Sequence, residues 1–213
     1  MKDIAIFGAG GFGREVVCLL NRINEVNPQW NFIGFFDDVK EIGYENEYGK
    51  VLGGTKELNE YSKPLNLIIS IGSPKAIEKI VSNIVNPNIE FPNVFAPDTI
   101  IVDKNNISFG KGNLICANCL FSCAVKVGDF NIFNGFVTVG HDSNIGDYNS
   151  IMPAVKISGN VKIADRNYFG VGSIVLQQVQ VGSDTVIGAG SVIIRKTKDG
   201  NTYVGNPALI VKY

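Results

Sequence analysis

The chain has 213 residues, 45% of them hydrophobic and 18% charged, enough for one large or two small globular domains. Its 19 Lys and Arg against 20 Asp and Glu leave a net charge of -1, which excludes a general attraction to nucleic acid or to an anionic membrane. No apolar run approaches the roughly 20 residues that span a bilayer, and no basic, apolar leader opens the chain, so a cytoplasmic protein is expected.

In chain order, an apolar strand over Asp3 to Phe7 runs into Gly8-Ala-Gly-Gly-Phe-Gly13. A helix should follow, because Val16, Val17, Leu19, Leu20 and Ile23 recur at helical spacing. Phe32 to Phe36 reads as a second strand ending on Asp37-Asp38. Leu65 to Ile71 reads as a third, ending in Gly72-Ser73-Pro74, where Pro74 can open the helix that carries Ile77, Ile80, Val81 and Ile84. Strands alternating with helices imply a small Rossmann-like α/β domain, with glycines placed to let backbone amides approach a diphosphate at a helix N-terminus. Fewer than about a hundred residues leave little room for a complete dinucleotide fold. A sugar nucleotide is therefore the better ligand, although the glycines could serve only a tight turn and the aspartates only a helix cap. Pro87, Pro92 and Pro97 interrupt both patterns, which divides the chain into a domain over 1–92 and a second over 93–213.

From Ser108 to Thr197 the sequence falls into fifteen six-residue units without a slip. The second position is always aliphatic or Phe, from Phe109 and Ile115 through to Ile187 and Ile193. The sixth is small, β-branched or Asn, residues that suit tight corners. One large inward residue per six predicts a triangular coil of five turns, three units to the turn, stacked at about 4.8 Å. Cys116, Cys119 and Cys123 have a spacing that could suggest a metal site. The repeat sends Cys119 inward and its neighbours elsewhere, so buried small side chains and no metal are expected.

With these motifs in order, Gly8 to Gly13, Asp37-Asp38, Ile71-Gly72, the hexads, His141-Asp142 and Gly205-Asn-Pro-Ala208, nearly the whole chain resembles the hexapeptide-repeat sugar O- and N-acyltransferases, of the sialic acid O-acetyltransferase and bacillosamine-pathway N-acetyltransferase type. The resemblance implies a left-handed parallel β-helix, a homotrimer, acetyl-CoA as acyl donor and a nucleotide-linked amino sugar as acceptor. It implies substrate contacts at Gly10, Gly11, Phe12, Asp37, Asp38 and Gly72, and cofactor contacts at Asn134, Ser150, Gly159, Val171 and Ala189. Many relatives carry His where this chain has Phe12, and some carry a second His where it has Ser150; both departures bear on which sugar is accepted.

His141 is the single histidine and lies outside the core-facing positions of the repeat, so it is the leading general base, a role the resemblance supports. The resemblance credits the adjacent acidic residue, here Asp142, with making the imidazole more basic, and a carboxylate can do so electrostatically. Cys123 precedes His141 by one full turn and opens a covalent route as an alternative to direct transfer. One histidine cannot supply the three metal ligands of a γ-class carbonic anhydrase. A noncatalytic sugar-nucleotide-binding or structural β-helix remains the competing reading.

Overall fold

The computed structural model describes residues 1–211. The first part is a six-stranded sheet built from β1 (Lys2–Phe7), β2 (Trp30–Phe36), β3 (Glu45–Asn46), β4 (Gly49–Gly53), β5 (Leu65–Ile69) and β6 (Ile89–Glu90). The order is β3-β4-β2-β1-β5-β6, parallel except for the β3–β4 hairpin. Three helices accompany it: α1 (Gly11–Val26), α2 (Thr55–Asn59) and α3 (Pro74–Asn83). The apolar stripe of α1 that the sequence predicts is buried at Val16, Val17, Leu19, Leu20 and Ile23. Pro74 occupies the first turn of α3, where its missing N–H costs nothing, and the Ser73 side chain caps that turn. The β3–β4 hairpin, α2 and β6 were not foreseen; they are too short to show a period in the sequence.

The second part is a left-handed parallel β-helix whose two-residue strands form three flat faces. Face one runs from Val94–Phe95 through Leu114–Ile115, Ile132–Phe133, Ser150–Ile151, Tyr168–Phe169 and Val186–Ile187 to Thr202–Gly205, where Ala208–Val211 folds back antiparallel. Face two runs from Ile100–Ile101 to Val192–Ile193, and face three from Ser108–Phe109 to Gln180–Val181. The expected five turns are thus extended at both ends. Eight residues instead of six separate the strand starts Ile100 and Ser108, and ten instead of twelve separate Val192 on face two from Thr202 on face one, which is why the unbroken register missed the outer coils.

The repeat positions also need one correction. Sixth-position residues point inward: Asn131, Ser143, Asn149, Val155 and Val161 are fully buried. The tight corner is made at the fifth position, where Asn118, Ala124, Phe136, Asp142 and their equivalents take a left-handed φ between +53° and +67°. Inside the prism, Phe95, Phe109, Phe121 and Phe133 meet edge to face at 5.0–5.2 Å in the first turns, and Ile and Val, with Phe169 and Tyr203, fill the later ones. A ladder of buried asparagines runs up the corner between faces three and one. Each side-chain oxygen accepts the backbone N–H one turn on, from Asn113 through Asn131 and Asn149 to Asn167.

The α/β domain sits on face one. Its core continues into the outward side chains of that face, Leu114 and Ile132, and into Phe130 at the adjoining corner. It also grips both edges of the face. Arg22 of α1 bonds Asp98 at the corner between faces one and two, at 2.9 Å, and Glu78 of α3 meets Arg166 at the corner between faces three and one, at 3.3 Å. The corner between faces two and three is left uncovered, on the far side of the prism.

Candidate active site

Three groups of the predicted site residues come together, in three different places. The first is at the C-terminal ends of β1, β2 and β5. Gly10 caps α1 without any side-chain cap, so the first N–H groups of the helix open onto the crevice beside Gly11 and Phe12. A Cβ placed on Gly10 or on Gly72 would meet nothing within 4 Å, so both border open space. Gly13 differs: a Cβ there would collide with the carbonyl of Gly8, so this glycine is what lets α1 start so close to β1.

Both aspartates of the crevice hold its loops. Asp37 accepts from the N–H of Ala9 at 2.8 Å, Val39 at 2.8 Å and Lys40 at 3.0 Å. Partial burial pushes its pKa up, but these three hydrogen bonds and the Lys40 charge outweigh that and leave it below the ordinary value. Asp38 takes the Thr55 N–H at 2.6 Å and the Thr55 hydroxyl at 2.9 Å, fixing the start of α2. The helix-cap role is therefore real for Asp38, while Asp37 ties the glycine loop to the end of β2.

The second group lies on the uncovered corner. Cys123, His141 and Gly159 occupy equivalent places in successive turns: the Asp142 N–H donates to the Cys123 carbonyl at 3.0 Å, and the Asn160 N–H donates to that of His141 at 2.6 Å. The left-handed φ of +58° at Asp142 turns its carboxylate back, so that His141 Nδ1 lies 2.7 Å from Asp142 Oδ2. Both side chains are more than half exposed, at 52% and 61%. With Nδ1–H donated to the carboxylate, Nε2 carries the lone pair. That nitrogen rests over Gly159, where an added Cβ would overlap it. The Gly159 N–H makes no bond in the stacking ladder, so a free donor adjoins the free base.

The third group is at the corner between faces one and two, across face two from His141. Asn134 and Gly135 share a cavity of about 200 Å³ with Phe12, Val16, Leu19 and Cys116 under α1. Asn134 Oδ1 accepts the Gly135 N–H at 2.7 Å, and Val171 and Ala189 are exposed farther along the same corner. The predicted cofactor residues are thus split, with Gly159 beside the base and Asn134, Val171 and Ala189 on another edge.

Ser150 is a correction: it faces outward from face one beneath the α/β domain, fully buried, and its hydroxyl has no partner, so it presents nothing to a cofactor. The three cysteines also diverge. Cys119 is in the core, Cys116 lines the cavity and Cys123 is exposed on the His141 corner. Among the described residues, no group of three or more His, Cys, Asp or Glu could hold a metal. The sequence reading missed Arg166, Asp184 and Glu78, whose signal, an Arg and an Asp at two successive turns of one corner, is visible only once the 18-residue stacking is known.

A left-handed β-helix carrying an exposed His–Asp pair, joined to a small α/β domain with a glycine-lined crevice, is the architecture of an acetyltransferase, and the chain is similar over nearly its full length to solved acetyltransferases. Residues 3–84 match the family model of the PglD N-terminal domain. WeeI from Acinetobacter baumannii AYE superposes with a TM-score of 0.88 at 29% identity, covering 99% of this chain and 100% of that one. The acetyltransferase domain of PglB from Neisseria gonorrhoeae FA1090, solved in complex with acetyl coenzyme A, gives 0.87 at 29% identity, with 99% of each chain covered. A mutant perosamine N-acetyltransferase from Caulobacter crescentus, solved with CoA and GDP-perosamine, shares the fold with a TM-score of 0.89 at 23% identity, covering 100% and 98%. No curated protein matches by sequence. No helix among the described residues is long and apolar enough to cross a membrane.

Proposed function

We propose that the protein transfers the acetyl group of acetyl-CoA to the amino group of a nucleotide-linked amino sugar, in the cytoplasm, with His141 as general base. The observation that carries this reading is the His141–Asp142 pair, exposed and aligned so that Nε2 is the free acceptor beside the free N–H of Gly159. Nε2 takes a proton from the sugar amine as its nitrogen attacks the thioester carbonyl. The Gly159 N–H donates to the oxyanion, and the imidazolium returns the proton to the departing CoA thiolate. Asp142 holds the ring and stabilises its charged form.

The proposed sugar-nucleotide site uses the α1 N-terminus at Gly10 and Gly11 for the diphosphate, Gly72 as a wall, and the Asp37–Asp38 edge for the nucleoside, while Phe12 lines the neighbouring cavity beside Asn134. That crevice belongs to the domain on face one, whereas His141 is on the opposite corner. Asn134, Val171 and Ala189 are likewise across face two from Gly159. A homotrimer accounts for both separations, because the His141 corner of one protomer can then face the Asn134 corner and the crevice of its neighbour.

The test is thiol release from acetyl-CoA across UDP-, GDP- and CMP-linked amino sugars and free sialic acid, with His141→Ala as control. An active amino-sugar acceptor that falls silent in the variant supports the proposal. Tight sugar-nucleotide binding with no turnover of any acceptor would favour the noncatalytic reading, and release with free sialic acid alone would move the chemistry to a hydroxyl.

A further inference from the structure

Along the corner between faces three and one, the fifth-position residues of successive turns stack into a row: Phe130, Tyr148, Arg166 and Asp184. The lower half is aromatic, with Phe130 and Tyr148 parallel at 5.5 Å and Phe91 edge-on to Phe130 at 5.0 Å. The upper half is ionic. Arg166 Nε and Nη2 each lie 3.1 Å from a different oxygen of Asp184, a bidentate pair, and Nη1 reaches Glu78 of α3 at 3.3 Å. Lys75, three residues before Glu78 on the same helix, approaches Asp184 at 3.9 Å. The side chains of Arg166 and Asp184 are each only 28% exposed, so water screens this network less than it screens an ordinary surface pair.

The helix gripped in this way is the one that starts at Ser73-Pro74, directly after Gly72 of the crevice. A clamp on Lys75 and Glu78 therefore fixes the first turn of α3, and with it the Gly72 wall, relative to the prism. We propose that Arg166, held by Asp184, is a positioning residue that sets the sugar-nucleotide crevice against the β-helix, so that acceptor affinity depends on this ionic clamp. The inference rests on the crevice being the acceptor site. Arg166 touches no substrate; it acts through α3. Lysine could not replace it, because one ammonium cannot bond both oxygens of Asp184 and still reach Glu78 in the same plane.

The experiment compares steady-state kinetics of the wild-type protein, Arg166→Gln, Glu78→Gln and the double variant, together with calorimetric titration of UDP and GDP. Loss of the clamp should raise the acceptor KM about fivefold in Arg166→Gln and less in Glu78→Gln, with the double variant no worse than Arg166→Gln. The affinity for the cognate nucleoside diphosphate should weaken in step. The acetyl-CoA KM and kcat should hold, and added salt should raise the wild-type acceptor KM more than that of the variant. An unchanged acceptor KM and nucleotide affinity would overturn the inference, as would a fall in kcat that tracks a lowered Tm, the mark of a merely structural role. If Arg166→Gln fails to fold, the half-exposed Glu78→Gln decides by the same criteria. A wild-type protein that binds nucleotide but acetylates nothing would strike at the proposed reaction and leave the clamp to be judged by the titrations. One that binds none of the nucleotides carried by the acceptor panel would overturn both.

Discussion

Gly159→Ala tests the catalytic corner without touching a catalytic side chain. The new Cβ would overlap His141 Nε2 and come within 2.7 Å of Cε1 and 2.9 Å of Cδ2. Those atoms are the far end of a side chain that is half exposed, so the ring can swing outward at little cost to folding. Gly159 has no left-handed φ, and an alanine there stabilises slightly, if anything, by restricting the unfolded chain. The swing breaks the 2.7 Å bond to Asp142 and moves Nε2 from its place beside the Gly159 N–H. General-base catalysis is worth roughly 10²- to 10⁴-fold, and a displacement of about 1 Å removes much of it, so kcat/KM should fall about a hundredfold. The assay is thiol release from acetyl-CoA with thermal unfolding run in parallel. Because both substitutions act on one group, Gly159→Ala should cost almost nothing further on top of His141→Ala. Retention of kcat/KM within about twofold of wild type would refute the assignment of the base, since the imidazole cannot keep its present position with a methyl group there.

The other predictions probe the framework and the remaining titratable groups. Burial pushes the Cys116 thiol up to about 12 and that of Cys119 up to about 11, so both stay protonated at neutral pH. An alkylating reagent should therefore label only Cys18 and Cys123 in the native protein, as read by intact mass, and acetyl-CoA should protect Cys123 while sparing Cys18. Asn131→Ala removes the acceptor for the backbone and side-chain N–H groups of Asn149, at 2.9 and 3.0 Å, and leaves buried donors unpaired; urea unfolding should show a loss of about 2–4 kcal/mol. Asp37 has its pKa lowered in the folded state, so its contribution to stability is complete above the ordinary value of 3.8 and is lost as pH falls through the lowered one. Acid titration followed by Trp30 fluorescence should show the wild type losing stability over that window, and Asp37→Asn should already be weaker at neutral pH and flatter below it.

The solenoid was legible because its period is imposed by geometry: three six-residue faces per turn leave one inward aliphatic position in each, and no side chain but an apolar one fits there. The α/β half was legible where elements were long, as in α1 with its five buried apolar residues, and illegible at the β3–β4 hairpin, where only two residues of each strand pair and carry no period. The coils at either end of the prism escaped notice because their spacing breaks the six-residue register, lengthened between Ile100 and Ser108 and shortened between Val192 and Thr202. Ser150 shows a different limit. Its outward position was correct for a contact residue, but the repeat alone does not say which face another domain will cover.

The chemistry of His141 is encoded in the same period. A histidine at the fourth position of a unit is carried outward, away from the core; an aspartate at the fifth, forced into a left-handed turn by the corner, is brought back against it. A glycine eighteen residues on leaves the space into which the ring settles and a backbone N–H free beside it. None of the three is unusual in a coil of this kind, where fifth-position residues are left-handed in every unit but the last and fourth positions are mostly solvent-facing. What distinguishes this corner is that the three coincide on the one edge that the α/β domain leaves open. At the same repeat position on the corner between faces one and two, Gly135 lies under α1. The location of the proposed active corner is thus the edge away from the docked domain, and the Arg166 and Arg22 ion pairs join that domain to the prism at the other two corners.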